Sequence, residues 1–160
     1  MIVVSDTSAI LNLARIGRME LLPKLYQQVL IPSAVSAELA TFGVNPAFDL
    51  AYGTWLQVAA PGDQSLIARL RDELDFGEAE AIALAVERQA TLLLMDEKHG
   101  REVAARLGIS VTGLIGVLAD AKEARLIESV KPVLDELITK ARFWIAPNLY
   151  QEVLVELGES

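Results

Sequence analysis

Apolar residues along this chain alternate between two patterns. Short runs rich in Val, Ile and Leu occupy 2–5, 29–31, 91–95 and 109–111, and a weaker one occupies 54–59. Runs of this length without polar alternation predict strands buried on both faces. Between them the spacing changes to the helical repeat. Ile10, Leu11, Leu13 and Ala14 mark a first helix ending at Gly17, and further helices are predicted over 19–26 and over AVSAELATF after Pro32 and the capping-type Ser33. Gly43, Asn45 and Pro46 break the pattern, and Asp63 or Ser65 is placed to cap a helix reaching Leu74. DFGEAEAIALAVERQ is the strongest helix, dense in Ala, Glu and Leu. TLLLMDEKHGREVAARLG repeats the opening design, a strand running into an acid and then a helix that stops at Gly108. After Thr112 only helices are predicted: GLIGVLADAKEARL, then 130–141, then 148–157 behind Pro147.

Strands alternating with helices imply an α/β fold with a central parallel sheet covered on both faces. The 160 residues suit a single domain, 1–160, with 113–160 as its all-helical C-terminal part. In such sheets ligands bind beyond the carboxyl ends of the strands. Asp6 and Asp96 both fall at that edge.

Composition narrows the classes. Although 52% of residues are hydrophobic, no stretch approaches the roughly 20 apolar residues of a bilayer span, and the first residues lack a secretory pattern. With no cysteine there is no disulfide framework, so a soluble, cytoplasmic protein without a membrane partner is expected. A net charge of -8 argues against nucleic-acid binding through a broadly basic surface, while leaving room for a local basic groove. It also fits a carboxylate cluster neutralised by a divalent cation.

Four acids keep apolar company. Asp6 follows a buried-type strand, and so does Asp96. Glu38 lies three positions after Val35 at the border of an apolar helix face, and Glu78 stacks on the face of Ala81, Ile82 and Ala85. Glu80 and Glu87 fall on another face and are expected in solvent. Each of the four has an ordinary structural reading: Asp6 and Asp96 as caps of the helices that follow them, Glu78 at the positive end of its own helix, Glu38 in an ion pair. Taken jointly, four carboxylates directed to one sheet edge would raise one another's pKa unless a cation were present. Oxygen donors without Cys favour Mg²⁺ or Mn²⁺ over zinc, and His99 reads as a surface residue. A carboxylate-held ion with water is an apparatus for cutting phosphodiesters.

VVSDTSAILNLA, Glu38 within IPSAVSAEL, the GEAEAIALA helix and LLLMDEKHGREVAARLGISVTGLIGVL together resemble the PIN-domain family, specifically its VapC-like toxin-type ribonucleases. The tail FWIAPNLYQEVLVELGE is similar to the closing helix of one branch, of which the GEAEA pattern is typical. The resemblance implies a three-layer α/β/α fold with extra C-terminal helices and an Mg²⁺- or Mn²⁺-dependent endoribonuclease activity. It further implies Asp6, Glu38, Glu78 and Asp96 as catalytic acids, with Asp6, Glu78 and Asp96 on the metal. Ser8 would serve as an accessory hydroxyl and Glu97 as an optional fifth acid. Many members carry Asp where this chain has Glu78, whose extra methylene shifts the metal or holds it through water.

RNA needs local cations. Lys98 and Arg101 flank Asp96, while Arg15, Arg18 and Lys24 cluster after the first helix, and for each the alternative is a solvated surface. The apolar content of the C-terminal helices, with Phe143 and Trp144, suggests a homodimer, against a well-filled monomer core. An antitoxin protein is the second partner the family implies. Other readings are weaker. A receiver domain needs an acidic pair at the first strand, and a haloacid-dehalogenase-like phosphatase needs a second Asp where Ser8 stands. No Gly-rich phosphate loop follows any strand. A PIN-like protein-binding module without nuclease activity is the remaining alternative.

Overall fold

The computed structural model describes residues 1–44 and 55–159. Five strands, β1 (Val3–Ser5), β2 (Val29–Pro32), β3 (Leu56–Ala59), β4 (Leu92–Leu94) and β5 (Val111–Thr112), form one sheet. Their order is β3-β2-β1-β4-β5, and every neighbouring pair is parallel. Nine described helices connect and extend them: α1 (Thr7–Arg15), α2 (Leu21–Tyr26), α3 (Ser33–Thr41), α4 (Gln64–Leu70), α5 (Phe76–Glu87), α6 (Lys98–Arg106), α7 (Leu114–Glu123), α8 (Val130–Lys140) and α9 (Pro147–Glu156).

The unalternating strand runs are explained by the two cores that the sheet separates. Successive side chains on a strand point to opposite faces. Val3, Val29, Ile31 and Leu94 enter one core, with the apolar faces of α1, α2, α7 and α8 and with Val35 and Leu39 of α3. Val4, Leu93 and Met95 enter the other, with Ile67 and Leu70 of α4, Ile82 and Leu84 of α5, and Val103 of α6. The result is the three-layer α/β/α arrangement. Most of the apolar surface of the C-terminal helices is used here: Val133, Leu134 and Leu137 are buried in the first core, and Phe143, Ile145 and Tyr150 pack against it.

Three details differ from the sequence pattern. The last strand is Val111–Thr112 rather than 109–111, because Ile109 turns into the second core while Met95 N–H pairs with Thr112 O at 2.9 Å. Ser33 is the first residue of α3 and not its cap; extended Pro32 occupies that place and has no side-chain acceptor. The helix expected to reach Leu74 ends at Leu70 as α4, and of its two candidate caps Asp63 is the one used, its Oδ1 accepting the Leu66 N–H at 3.0 Å. Asn45, Pro46 and Thr54 lie outside the described residues. Among the described residues no helix is long and apolar enough to cross a membrane.

Candidate active site

The register of the sheet brings two acids to adjacent strand ends. Ser5 pairs with Leu94, and the Asp6 N–H donates to Leu94 O at 3.0 Å, so the ladder continues one residue past β1. Asp6 then leaves β1 as the N-cap of α1, its Oδ1 accepting the Ala9 N–H at 3.4 Å, and it is only 4% exposed. Asp96 leaves β4 after buried Met95. It does not cap the helix that follows it in sequence. Glu97 does, accepting the Gly100 N–H at 2.6 Å, whereas Asp96 Oδ1 reaches across to the start of α7 and accepts the Leu114 N–H at 2.8 Å. Its other oxygen, Oδ2, is buried without a hydrogen-bond partner.

Glycine makes this reach possible. A Cβ on Gly113 would lie 2.6 Å from Asp96 Oδ1, closer than real carbon atoms approach an oxygen. Gly77 in the first turn of α5 plays the same part for Glu38, whose Oε1 would sit 2.5 Å from a Cβ there. Glu38 Oε2 accepts the Thr7 hydroxyl at 2.6 Å, which ties the middle of α3 to the first residue of α1. Glu78 belongs to a capping box: its N–H donates to Asp75 Oδ1 at 2.8 Å and its Oε1 accepts the Asp75 N–H at 3.3 Å.

The electrostatics are those of carboxylates in a partly dry place. Burial pushes the Asp6 carboxyl well above its ordinary range, and the Asp96 and Glu78 charges add to the effect against the opposing Ala9 hydrogen bond. Burial also raises Glu78, with Asp75 and Glu97 as repulsive neighbours, up to about 7. Asp96 is raised by burial too, opposed by the Leu114 N–H and the Arg101 guanidinium. Among the described residues no group of three or more His, Asp or Glu side chains is positioned to hold a metal ion. Two neighbouring carboxylates still fit one. Mg²⁺ commonly keeps several waters and takes only one or two protein carboxylates, the donors here are all oxygen, and Asp96 Oδ2 is a buried acceptor with nothing to accept.

The remaining sequence candidates are placed as follows. Ser8 is half-buried in the first turn of α1, but the hydroxyl that bonds a site carboxylate belongs to Thr7. Lys98 and Arg101 line a cleft of about 580 Å³ together with Asp96, Gly113 and Trp144. Arg15 lies over the Phe42 ring and Arg18 pairs with Glu136 at 3.9 Å, both away from that cleft. His99 is exposed beside Glu73 and Glu102. Glu80 corrects the sequence reading: it is 8% exposed rather than in solvent, and its Oε1 accepts the Ala34 N–H at 2.9 Å. It thereby supplies to α3 the acceptor that Pro32 lacks. Pro at that cap was the one signal that an outside acceptor was needed. Glu87 is exposed, and accepts from the Gly62 N–H.

Comparison with known proteins agrees with this architecture. A PilT N-terminus domain protein from the hyperthermophilic archaeon Sulfolobus solfataricus P2 superposes with a TM-score of 0.56 at 23% identity, over 76% of this chain and 93% of that one, a likeness of fold. No curated protein matches the chain. The family model described as DUF3368, a PIN domain, matches residues 2–159. A five-stranded parallel sheet between helical layers, acids at its carboxyl edge and a family match along nearly the whole length lead to one conclusion: the chain belongs to the PIN-domain family.

Proposed function

We propose that this protein is a divalent-metal-dependent endoribonuclease that hydrolyses RNA phosphodiesters at the carboxyl edge of its sheet. The observation that carries the reading is the pair Asp6 and Asp96, two burial-raised carboxylates on adjacent strand ends, one with a buried oxygen that nothing satisfies. Such an arrangement is costly in a metal-free protein and resolved by a cation. Asp6 and Asp96 would hold Mg²⁺ or Mn²⁺ directly, with Glu78 reaching it through water. When bound, the ion would make a water easier to deprotonate by a nearby base and would neutralise charge on the phosphate. Glu78, held by Asp75 at the mouth of the site with a pKa of about 7, is suited to accept that proton. Glu38, fixed by Thr7, orients the attacking water. In-line attack leaves 5′-phosphate and 3′-hydroxyl ends.

The test is cleavage of an end-labelled mixed-sequence RNA in Mn²⁺, Mg²⁺ or EDTA. Cleavage requires metal, and Asp6→Asn and Asp96→Asn each reduce it by about 100-fold or more, beyond the loss typical of a residue merely supporting a ligand. Unchanged cleavage by Asp6→Asn overturns the reading. The absence of a ready three-acid metal set among the described residues favours a second reading, a PIN-like protein-binding module. Melting with Mn²⁺ separates them, because an ion bound only by the folded chain raises the melting temperature and a module without a site gives no rise. A cytoplasmic toxin role with an antitoxin partner, and a homodimer, belong to the first reading. Co-purification with a small partner protein and sedimentation test them.

A further inference from the structure

One outward aromatic is left unexplained by the site. Arg142 turns the chain after α8 with a φ of 57°, and residues 143–146, outside any helix or strand, lead to Pro147 at the start of α9. Phe143 and Ile145 pack on the first core, and Phe143 N–H is anchored to Leu137 O at 2.9 Å. Trp144 between them is held away from the core and is 79% exposed, whereas Trp55 is 2% exposed. Its packed neighbours hold the backbone at Trp144 so that the indole is presented to the outside.

Its surroundings say what would lie on it. Trp144 and Ile145 line the cleft of about 580 Å³ together with Lys98, Arg101 and Asp96. Five other cations of this acidic chain pair with carboxylates elsewhere: Arg18 with Glu136, Arg106 with Glu73, Lys122 with Glu159, Lys131 with Asp135 and Lys140 with Glu136. An exposed aromatic and two cations lining one cleft with a site acid complement a strand of stacked bases and phosphates.

We infer that this cleft is a subsite for single-stranded RNA, with a base stacked on Trp144 and the adjoining phosphate held by Lys98 and Arg101, so that the strand is led past Asp96. It rests on the nuclease reading for the direction of the strand, though not for the binding itself. A duplex buries its base faces and cannot stack on Trp144, so the subsite selects unpaired RNA.

The experiment is titration of the full chain with a short mixed-sequence RNA strand in EDTA, read by tryptophan emission. The single strand is expected to quench Trp144, while the duplex of the same sequence does not. With the strand end-labelled, its fluorescence anisotropy gives the affinity of each variant: Trp144→Ala should weaken binding by about 5- to 150-fold, the range for losing one base stack, and Trp144→Phe should recover most of that affinity. A strand with abasic sugars should bind the native chain no better than it binds Trp144→Ala. Lys98→Gln should lower the slope of log affinity against log salt by about 0.7, as loss of one phosphate contact does on a single strand. Emission from buried Trp55 reports that each variant is folded.

Equal affinity of native and Trp144→Ala chains for the single strand overturns the inference, and so does a native chain that binds no RNA. Emission of Trp144 that shifts with protein concentration alone also overturns it, by assigning the face to a second copy. The two readings fail separately. Metal-dependent cleavage lost in Asp6→Asn but with an unchanged KM in Trp144→Ala removes the subsite and keeps the nuclease. A Trp144-dependent quench with full cleavage by Asp6→Asn keeps the subsite and removes the assigned catalytic acids.

Discussion

Asp6 caps α1 with one oxygen, yet its charge is buried beside Asp96. The cap helps the fold and the charge opposes it. A carboxyl whose pKa is raised on folding keeps a proton in the native chain that the unfolded chain has released, so stability falls as pH rises between the two values. For Glu78 that window runs from 4.5 to about 7, and Asp6 acts with the same sign. Asn caps a helix about as well as Asp. Asp6→Asn therefore removes the charge and keeps the cap, and in EDTA near pH 8 the variant should melt about 2–4 °C higher than the native chain, the effect of roughly 1 kcal/mol in a domain of this size. The gain should shrink toward pH 5 and reverse in saturating Mn²⁺, which stabilises only the native site. Differential scanning calorimetry across pH checks it; a variant less stable at every pH would show that the charge is not strained. Asp6 was legible in the sequence because it ends an apolar run, where a charge needs a reason. Glu80 was not, because a helical repeat assigns residues to faces and only the packing of α3 against α5 makes that face an interior.

At the scale of elements, three helix starts in this protein, those of α3, α7 and α8, take acceptors from elsewhere in the chain. Asp96, after β4, serves α7; Glu80 on α5 serves α3; Glu159, beyond α9, serves α8. Capping residues are recognisable by type, but local sequence does not say which N-terminus they will meet, since each bond spans 18 to 46 positions. The α7 cap also sets the site, because it fixes Asp96 by one oxygen and leaves the other buried. Gly113 has φ -101° and ψ -171°, which alanine also adopts, so Gly113→Ala tests contact alone. Its methyl group would displace the Asp96 carboxylate from Leu114. We expect a stability loss of about 1–3 kcal/mol, the range for overpacking, with cleavage falling by about 10- to 100-fold, as when support of a metal ligand is lost. Urea melts and initial rates measure the two; unchanged cleavage would mean that the α7 start does not position Asp96.

On the scale of the molecule, residues near 159 close the helical layer that carries Trp144. The Glu159 carboxylate accepts the Val130 and Lys131 N–H groups at 2.8 Å each and pairs with Lys122 at 2.8 Å, joining the segment after α9 to α7 and α8. Burial pushes its pKa up, but the Lys122 ammonium and the two N–H groups outweigh burial and hold it below its ordinary value. Its stabilisation is present above the unfolded value of 4.5 and is lost as pH falls through the lower folded value. Glu159→Ala should cost about 1–3 kcal/mol at neutral pH, as for a charged hydrogen-bonding group, and the difference from the native chain should narrow on acidification. Urea melts at neutral and acid pH check this, and a difference that grows on acidification would refute it. By itself, the sequence determined the α/β alternation, the sheet edge and the presence of Asp6 and Asp96 there, because buried strands and strand-to-helix turns are encoded by contiguous residues. Tertiary structure alone decided which helix each acid caps, that Glu80 is interior, that Thr7 binds Glu38, and that Phe143 is held inward while adjacent Trp144 faces the cleft. Those outcomes depend on which surfaces the layers bring together, and on the close approaches that Gly77 and Gly113 permit.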